Sequence, residues 1–315
     1  MKYIDLHCDT VYKMMEDTEK YGLRKNDFSI DVEKLAKGGC MAQMFALFLD
    51  QDENKNLYEY CIAMSDKINF EIEKNSDKIA LATNYGEIIA NDRAGKISAL
   101  ISIEEGGAIE GSLDKLDEFY DRDVRLMTLT WNHVNEIGYP HCREEYTNLG
   151  LTEFGKLTVE RMNELGMIID VSHLSDGGFY DVAKLSKKPF VASHSNSRAM
   201  RNVSRNLTDE MIKIVANSGG VTGINFADYF LGDYGDNFSR ISDMIRHIKH
   251  IQKVGGVDVI ALGSDFDGIG SEVEIRDASE MDKLYQALKL EGFKDGDIEK
   301  IFYKNALRVI TDVLF

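Results

Sequence analysis

Four short segments of the chain carry the residue types that hold metal ions: Leu6-His7-Cys8-Asp9, Ile103-Glu104-Glu105-Gly106-Gly107, Asp170-Val171-Ser172-His173 and Ala192-Ser193-His194-Ser195. In an extended strand alternate side chains face the same way, so His7 and Asp9 can enter one cavity while Cys8 points aside. His173 and His194 add two imidazoles, and a glutamate of the second segment can bridge two ions through its two oxygens. Five such ligands suit a pair of divalent ions of the zinc type, because zinc takes imidazole nitrogen and carboxylate oxygen and a catalytic site keeps positions open for water. Two adjacent cations lower the pKa of a shared water and polarise a carbonyl, and amide hydrolysis needs both effects.

A fifth segment, Gly263-Ser264-Asp265-Phe266-Asp267-Gly268, supplies carboxylates that no metal need claim. A carboxylate there can take the proton of the attacking hydroxide and pass it to the leaving amine, and Asp265 stands nearest the strand end. Asp267 reads equally well as a turn residue before Gly268. Arg205, in Ser204-Arg205-Asn206-Leu207, can hold a substrate carboxylate through paired hydrogen bonds. Trp131, the single tryptophan, stands where it can wall a pocket, although packing explains it as well. Cys8, between two ligands, reads as a core thiol. His141, His247 and His250 lack any such context and read as solvated, the last two on a helical stretch rich in Arg and Lys.

These residues need a scaffold that gathers distant segments at one end. Short apolar runs alternate with amphipathic stretches along the whole chain, the pattern of repeated β-α units around a parallel sheet. Eight strands are expected near Tyr3–Leu6, Ala42–Phe48, Ser98–Ile103, Val124–Leu129, Met167–Asp170, Phe190–Ser193, Gly220–Asn225 and Val259–Gly263. Helices are expected over Leu151–Leu165, Glu210–Asn217, Ser239–Val254 and Met281–Leu290, with Asp and Ser at N-caps and with Gly219-Gly220 and Gly255-Gly256 where a helix should stop. The fold implied is a (β/α)8 TIM-type barrel over residues 1–315 as one domain, with a charged helical insertion at Gln51–Arg93. All five chemical segments then lie at the C-terminal ends of strands, the face on which such barrels carry their active sites.

Composition narrows the possibilities further. Hydrophobic residues at 43% give ample material for a core, and a formal charge of −17 argues against a nucleic-acid partner, which would require clustered Lys and Arg. Four cysteines without C-x-x-C spacing are too sparse for a disulfide framework and fit a reducing compartment. The N-terminus turns polar within a few residues and no apolar run approaches the ~20 residues that span a bilayer, so a cytoplasmic protein without membrane attachment is expected.

Together, in order and over nearly the whole chain, the segments Asp5-Leu6-His7-Cys8-Asp9-Thr10, Ile103-Glu104-Glu105-Gly106-Gly107, Asp170-Val171-Ser172-His173, Ser193-His194-Ser195 with Arg205-Asn206, and Gly263-Ser264-Asp265-Phe266-Asp267-Gly268 resemble the membrane (renal) dipeptidase family of metallopeptidases. The resemblance implies a metallo-dependent hydrolase barrel with two zinc ions, one at His7 and Asp9, the other at His173 and His194, bridged by Glu104. It implies Asp265 as general acid/base, Arg205 for the substrate carboxylate, a homodimer, and dipeptide substrates that often include a C-terminal D-residue. Two positions depart from the family pattern. Two acidic residues precede Gly106-Gly107, so Glu105 competes with Glu104, which keeps the strand alignment without a gap. The family's histidine after Leu-Thr on strand four, which helps hold the reaction intermediate, is replaced by Leu129-Thr130-Trp131-Asn132-His133, where His133 can act from a shifted position or Asn132 can donate instead. A deaminase, lactonase or cyclic amidase barrel typically shows His-x-His on strand one and a bridging lysine on strand four; this chain has His-x-Asp and no lysine in Val124–Leu129. A barrel that binds metal without catalysis would be expected to lose Asp265 and Arg205, and both are present.

Overall fold

Continuous apolar runs such as Met44-Phe45-Ala46-Leu47 suit strands that are covered on both faces, and a parallel sheet covers both. A computed structural model describes residues 1–54, 56–232 and 234–314 and shows this arrangement closed on itself. The barrel strands are β1 (Tyr3–Asp5), β2 (Cys40–Phe48), β3 (Ile97–Glu104), β4 (Val124–Thr128), β5 (Ile168–Asp170), β6 (Val191–Ala192), β7 (Val221–Ile224) and β8 (Ile260–Leu262). All pair in parallel with their sequence neighbours, and β1 pairs with β8 to close the ring, Asp5 opposite Leu262. Each of the eight expected strands is present, so the (β/α)8 barrel is the fold.

The pleat sorts apolar side chains into two cores. At least one residue from each strand, Ile4, Met44, Leu100 and Leu126 among them, fills the barrel interior, and Ala306, Val309, Ile310 and Val313 of the last helix join this cluster. Their neighbours Phe45, Leu47, Ile101 and Met127 point outward into the larger core shared with the helices. The helix Asn305–Val313 thus presents an apolar stripe to the barrel interior, and the C-terminal ends of the strands are left to polar residues.

The expected helices occur as Glu153–Leu165, Asp209–Asn217, Ile241–Gly255 and Asp282–Leu290. Their starts are set by Thr152 and Thr208 in two cases, whose hydroxyls accept the Gly155 and Met211 N–H groups, rather than by Asp or Ser. The insertion read as helical contains the helices Leu57–Lys74 and Tyr85–Arg93 but also a strand, Ile79–Leu81, that pairs with the start of β3. That end of β3 lies before its pairing with β4 begins, so a free ladder edge was there to be taken. Among the described residues no helix is long and apolar enough to cross a membrane.

Closure brings β6 and β8 so close that no side chain fits between them: a Cβ at Gly263 would stand 1.9 Å from the Ser193 carbonyl oxygen. Gly263→Ala is therefore expected to destabilise the fold by about 3 kcal/mol through forced backbone displacement. Urea denaturation measures this, and a loss under about 1 kcal/mol would show that the strands have room to spare.

Candidate metal centre

The strand ends are knitted together before any ligand is considered. Beyond β1 the Asp9 N–H donates to the Phe266 carbonyl at 2.9 Å, and the Asp265 N–H donates to the His7 carbonyl at 3.2 Å. Asp5, buried, accepts from the Ser264 N–H at 2.8 Å and its hydroxyl at 2.6 Å, which fastens the β8 loop to β1. Gly268 passes so near that a Cβ there would sit 1.9 Å from Asp9 Oδ2. Glu105, His173, Asp265 and Asp267 all adopt positive φ (97°, 67°, 63° and 71°), a costly conformation for residues other than glycine that turns each chain sharply at the strand end.

These turns bring His7, Asp9, Glu104, His173 and His194 into one buried cluster. His7 Nε2 lies 3.4 Å from Asp9 Oδ2 and 3.3 Å from Glu104 Oε2. On the other side of the same carboxylate, Glu104 Oε1 lies 3.1 Å from His173 Nε2 and 3.3 Å from His194 Nε2. The two imidazole nitrogens are themselves 3.1 Å apart.

Hydrogen bonds behind the rings show what faces what. Ser193 Oγ lies 2.5 Å from Asp170 Oδ2, an acceptor, so its single proton goes there. His194 Nδ1, 2.7 Å from the same hydroxyl, must then carry the proton that it donates to Ser193 Oγ. His173 Nδ1 donates likewise to Asn132 Oδ1 at 3.3 Å. Both Nε2 atoms are therefore bare lone pairs, and they converge with a carboxylate oxygen: three acceptors and no donor. Such a face is repulsive unless a cation sits against it. The edges of a tetrahedral zinc site, with Zn–N of about 2.0–2.1 Å, are about 3.3 Å, which the observed separations match. Both His7 nitrogens and Asp9 Oδ1 are buried without hydrogen-bond partners among the described residues, so they too are available to a cation.

Charge points the same way. Burial raises the Asp9 carboxyl well above its usual range despite the nearby His7, with Glu104 adding to the effect. Burial alone would lower the His7 imidazole, yet Glu104 and Asp9 outweigh it and hold the ring well above its ordinary value. Burial would raise Glu104, yet the charge of His7 holds it well below the carboxylate range. Burial, with the charge of Glu104, pushes Asp265 up to about 6, and burial, with the charge of Arg205, lowers His173 to about 4.

The two adjacent glutamates separate cleanly. Glu104 faces the imidazoles, whereas Glu105, turned by its positive φ, accepts from the Gly107 N–H at 2.7 Å, the Trp131 N–H at 3.1 Å and the Asn135 amide. Cys8 points aside, its thiol toward the Met44 carbonyl. Asp267 accepts from the Thr10 hydroxyl and the Ser29 N–H and so ties loops together.

The cluster opens into a cavity of about 320 Å³ whose wall includes Glu104, Asp265, Trp131, Asn132, Phe230 and His141. Asp265 is fixed by the Asn225 amide, which donates to Oδ2 at 2.8 Å, and its Oδ1 is 3.9 Å from His7 Nε2. Arg205, 3% exposed, gives Nη1 to Ser195 Oγ at 2.5 Å, while its Nε and Nη2 are buried with no partner among the described residues. His133 is not brought to this wall. Its Nε2 is 3.2 Å from Asp50 Oδ1, in a separate, partly exposed group with Asp52. His141, read as solvated, lines the cavity instead: its ring is 5.7 Å from that of His173, Nδ1 is 2.9 Å from Ser204 Oγ, and burial lowers it to about 2. His247 is likewise fully buried rather than solvated, and His250 is half-buried against Asp209 at 2.7 Å. No local sequence signal marks His141, a loop residue placed by its backbone hydrogen bond to the His173 carbonyl.

Across residues 1–314 the chain matches the family described as membrane dipeptidase, peptidase family M19. It is 35% identical over 230 residues, 70% of this chain and 84% of the relative, to an uncharacterized protein in the pqqA 5' region of Klebsiella pneumoniae. It is 28% identical to an uncharacterized dipeptidase of Schizosaccharomyces pombe, covering 98% of this chain and 79% of that one. In fold it is similar to a metallo peptidase from Rhodobacter sphaeroides liganded with a phosphinate mimic of the dipeptide L-Ala-D-Ala, with a TM-score of 0.92, 24% identity and 99% of both chains covered. It is also similar to a structure described as dipeptidase AC, with a TM-score of 0.94, 24% identity, and 100% of this chain and 99% of that one covered.

If the Asp170–Ser193–His194 relay sets the tautomer of His194, Ser193→Ala should weaken metal binding by about 10–100-fold while the fold persists. Competition with a chromophoric chelator reads this directly, and unchanged affinity would remove the relay from the account.

Proposed function

The chain belongs to the membrane dipeptidase family, peptidase family M19, and on that premise we propose that it hydrolyses the peptide bond of dipeptides, C-terminal D-residues included, with two zinc ions. One ion would be held by His7 and Asp9, the other by His173 and His194, and Glu104 would give one oxygen to each, as the separations of 3.1 to 3.4 Å support. Bound there, the ions would lower the pKa of a shared water and polarise the scissile carbonyl. Zinc is proposed from the mixed imidazole and carboxylate donor set. The cytoplasm is proposed from four unpaired cysteines, and a homodimer from the family resemblance.

The observation that carries a dipeptide substrate, as against any other amide, is the Arg205 guanidinium. A buried cation with Nε and Nη2 both unpartnered presents two parallel donors from a single edge, the geometry that a carboxylate fills. Substrates that end in a free carboxylate one residue beyond the scissile bond would satisfy it; internal peptide bonds of long chains would not. Asp265, anchored by Asn225 and pushed up to about 6 by burial, exchanges a proton readily near neutrality. It would take the proton released at the nucleophilic water and deliver it to the leaving amine. Holding the reaction intermediate, the role expected of His133, is assigned to His141, which lines the cavity while His133 faces Asp50. Trp131 and Asn132 wall the pocket, with Asn132 also fixing the His173 ring.

Three outcomes are expected. Arg205→Ala should raise KM for a dipeptide at least about tenfold while leaving the C-terminal amide of the same dipeptide nearly unaffected, since a charged hydrogen-bonded partner is worth about 2 kcal/mol or more. Equal losses on both substrates would reject a carboxylate anchor. Asp265→Asn should lower kcat by about 10²- to 10⁴-fold with metal content retained; activity near wild type would assign the proton transfer elsewhere. Complete chelation should abolish hydrolysis and added zinc should restore it, and turnover by metal-free protein would defeat the mechanism.

A further inference from the structure

The helix Ile241–Gly255 buries a polar residue that the reaction does not use. His247 is 0% exposed, on the same face as Met244, Ile248 and Ile251. A buried imidazole must satisfy both nitrogens, and this one does so by joining two loops. Nδ1 accepts from the Ser197 N–H at 3.0 Å, which requires Nδ1 to be bare. Nε2 therefore carries the proton and donates to the Leu231 carbonyl at 3.0 Å. The ring is neutral in a single tautomer.

The two loops are those on either side of Arg205. Ser197 belongs to the loop after β6 that holds Ser195 and Arg205, with the Arg198 N–H donating to Leu207 O and the Leu207 N–H to Asn196 O. Leu231 ends the segment after β7 that carries Tyr229 and Phe230, both on the cavity wall. The Arg205 guanidinium lies over the Phe230 ring at 5.5 Å, so the relative position of the two loops decides where its free edge faces. Asn206 adds a direct tie, its amide donating to Phe230 O at 2.9 Å, and Arg246 also reaches Leu231 O at 2.6 Å. Of these, His247 alone holds the Ser197 backbone from outside both loops.

We propose that His247 is a positioning residue for substrate carboxylate recognition, clamping the Arg205 loop to the Phe230 loop by accepting from Ser197 N–H and donating to Leu231 O. The proposal rests on Arg205 being the carboxylate anchor. It assigns His247 an influence on affinity for the charged end of the substrate, with no contact to substrate or metal.

The test compares wild type, R205A, His247→Phe and His247→Asn in the full chain with zinc, on a dipeptide and on its C-terminal amide. His247→Phe keeps the ring and neither polar atom; His247→Asn retains an amide oxygen at the Nδ1 position for the Ser197 N–H. His247→Phe is expected to raise KM for the dipeptide about tenfold with kcat within twofold, metal content unchanged and the amide unaffected, and His247→Asn to recover most of that loss. If the Phe variant does not fold, His247→Gln, which keeps the donor to Leu231 and moves the acceptor, should show the same selective rise. Equal effects on dipeptide and amide, a fall in kcat with unchanged KM, or an Asn variant as impaired as the Phe variant would overturn the clamp. R205A separates the two ideas. A selective effect in R205A without one in the His247 variants rejects only the clamp, whereas no selectivity in R205A removes the anchor and the clamp with it.

Discussion

Everything at the open end of the barrel is organised around one electrostatic difficulty. Two unprotonated imidazole nitrogens and a carboxylate oxygen stand 3.1 to 3.3 Å from one another with no proton among them. In a buried space of low dielectric such a face costs several kcal/mol unless positive charge meets it. The chain makes no attempt to relieve the repulsion from within. It enforces it, by fixing both protons on the far nitrogens through Ser193 and Asn132. Side chains that spend hydrogen bonds to keep lone pairs exposed to each other are arranged for a cation, and Glu104 turns its other oxygen, Oε2, toward His7.

The barrel makes that arrangement affordable. Its lower interior is filled by an apolar layer drawn from every strand and joined by the last helix, which secures the fold independently of the polar end. Stability obtained there offsets the strain at the strand ends, where Glu105, His173 and Asp265 hold positive φ values that these residue types ordinarily avoid. The strain has a direct structural return. Each sharp turn lets two nearby carboxylates face different ways: Glu104 enters the imidazole cluster while Glu105 anchors the Trp131 loop, and Asp265 faces His7 while Asp267 secures Thr10 and Ser29.

This sorting explains what could be read from the residues and what could not. The eight strands were legible because each is a short apolar run ending in a polar cluster, and their pairing in parallel follows from the intervening helices. The separation of His7 from Cys8 followed from the period of a strand, which the structure keeps up to that point. His247 was misread because its neighbours Arg246 and Lys249 suggested a solvated face; the burial of Met244, His247, Ile248 and Ile251 on one stripe was the helical-period signal that outweighed them. His133 and His141 lie on a long irregular connection between β4 and the helix at Glu153, where no period exists. Which of the two reaches the cavity depends on a backbone hydrogen bond to His173, a tertiary fact with no local trace.

The substrate recognition proposed for Arg205 would draw on the same balance of charge. Arg205 is buried among acidic neighbours, Asp265, Asp170 and Glu104, whose fields oppose the loss of its charge on burial. Yet it forms no ion pair with any of them; among the described residues its guanidinium hydrogen bond goes to the neutral Ser195 hydroxyl. A direct salt bridge would close the free edge of the guanidinium and leave a substrate carboxylate to compete with an intramolecular one held at far higher effective concentration. With the cation stabilised at a distance and Nε and Nη2 unpartnered among the described residues, the cost of burying Arg205 stays tolerable, and in the proposed function the gain from pairing it would fall to the ligand. Besides the Ser195 hydroxyl and the Phe230 ring, such a guanidinium depends on the backbone on which it sits, and the hydrogen bonds from Ser197 and Leu231 to His247 and from Asn206 to Phe230 order that backbone.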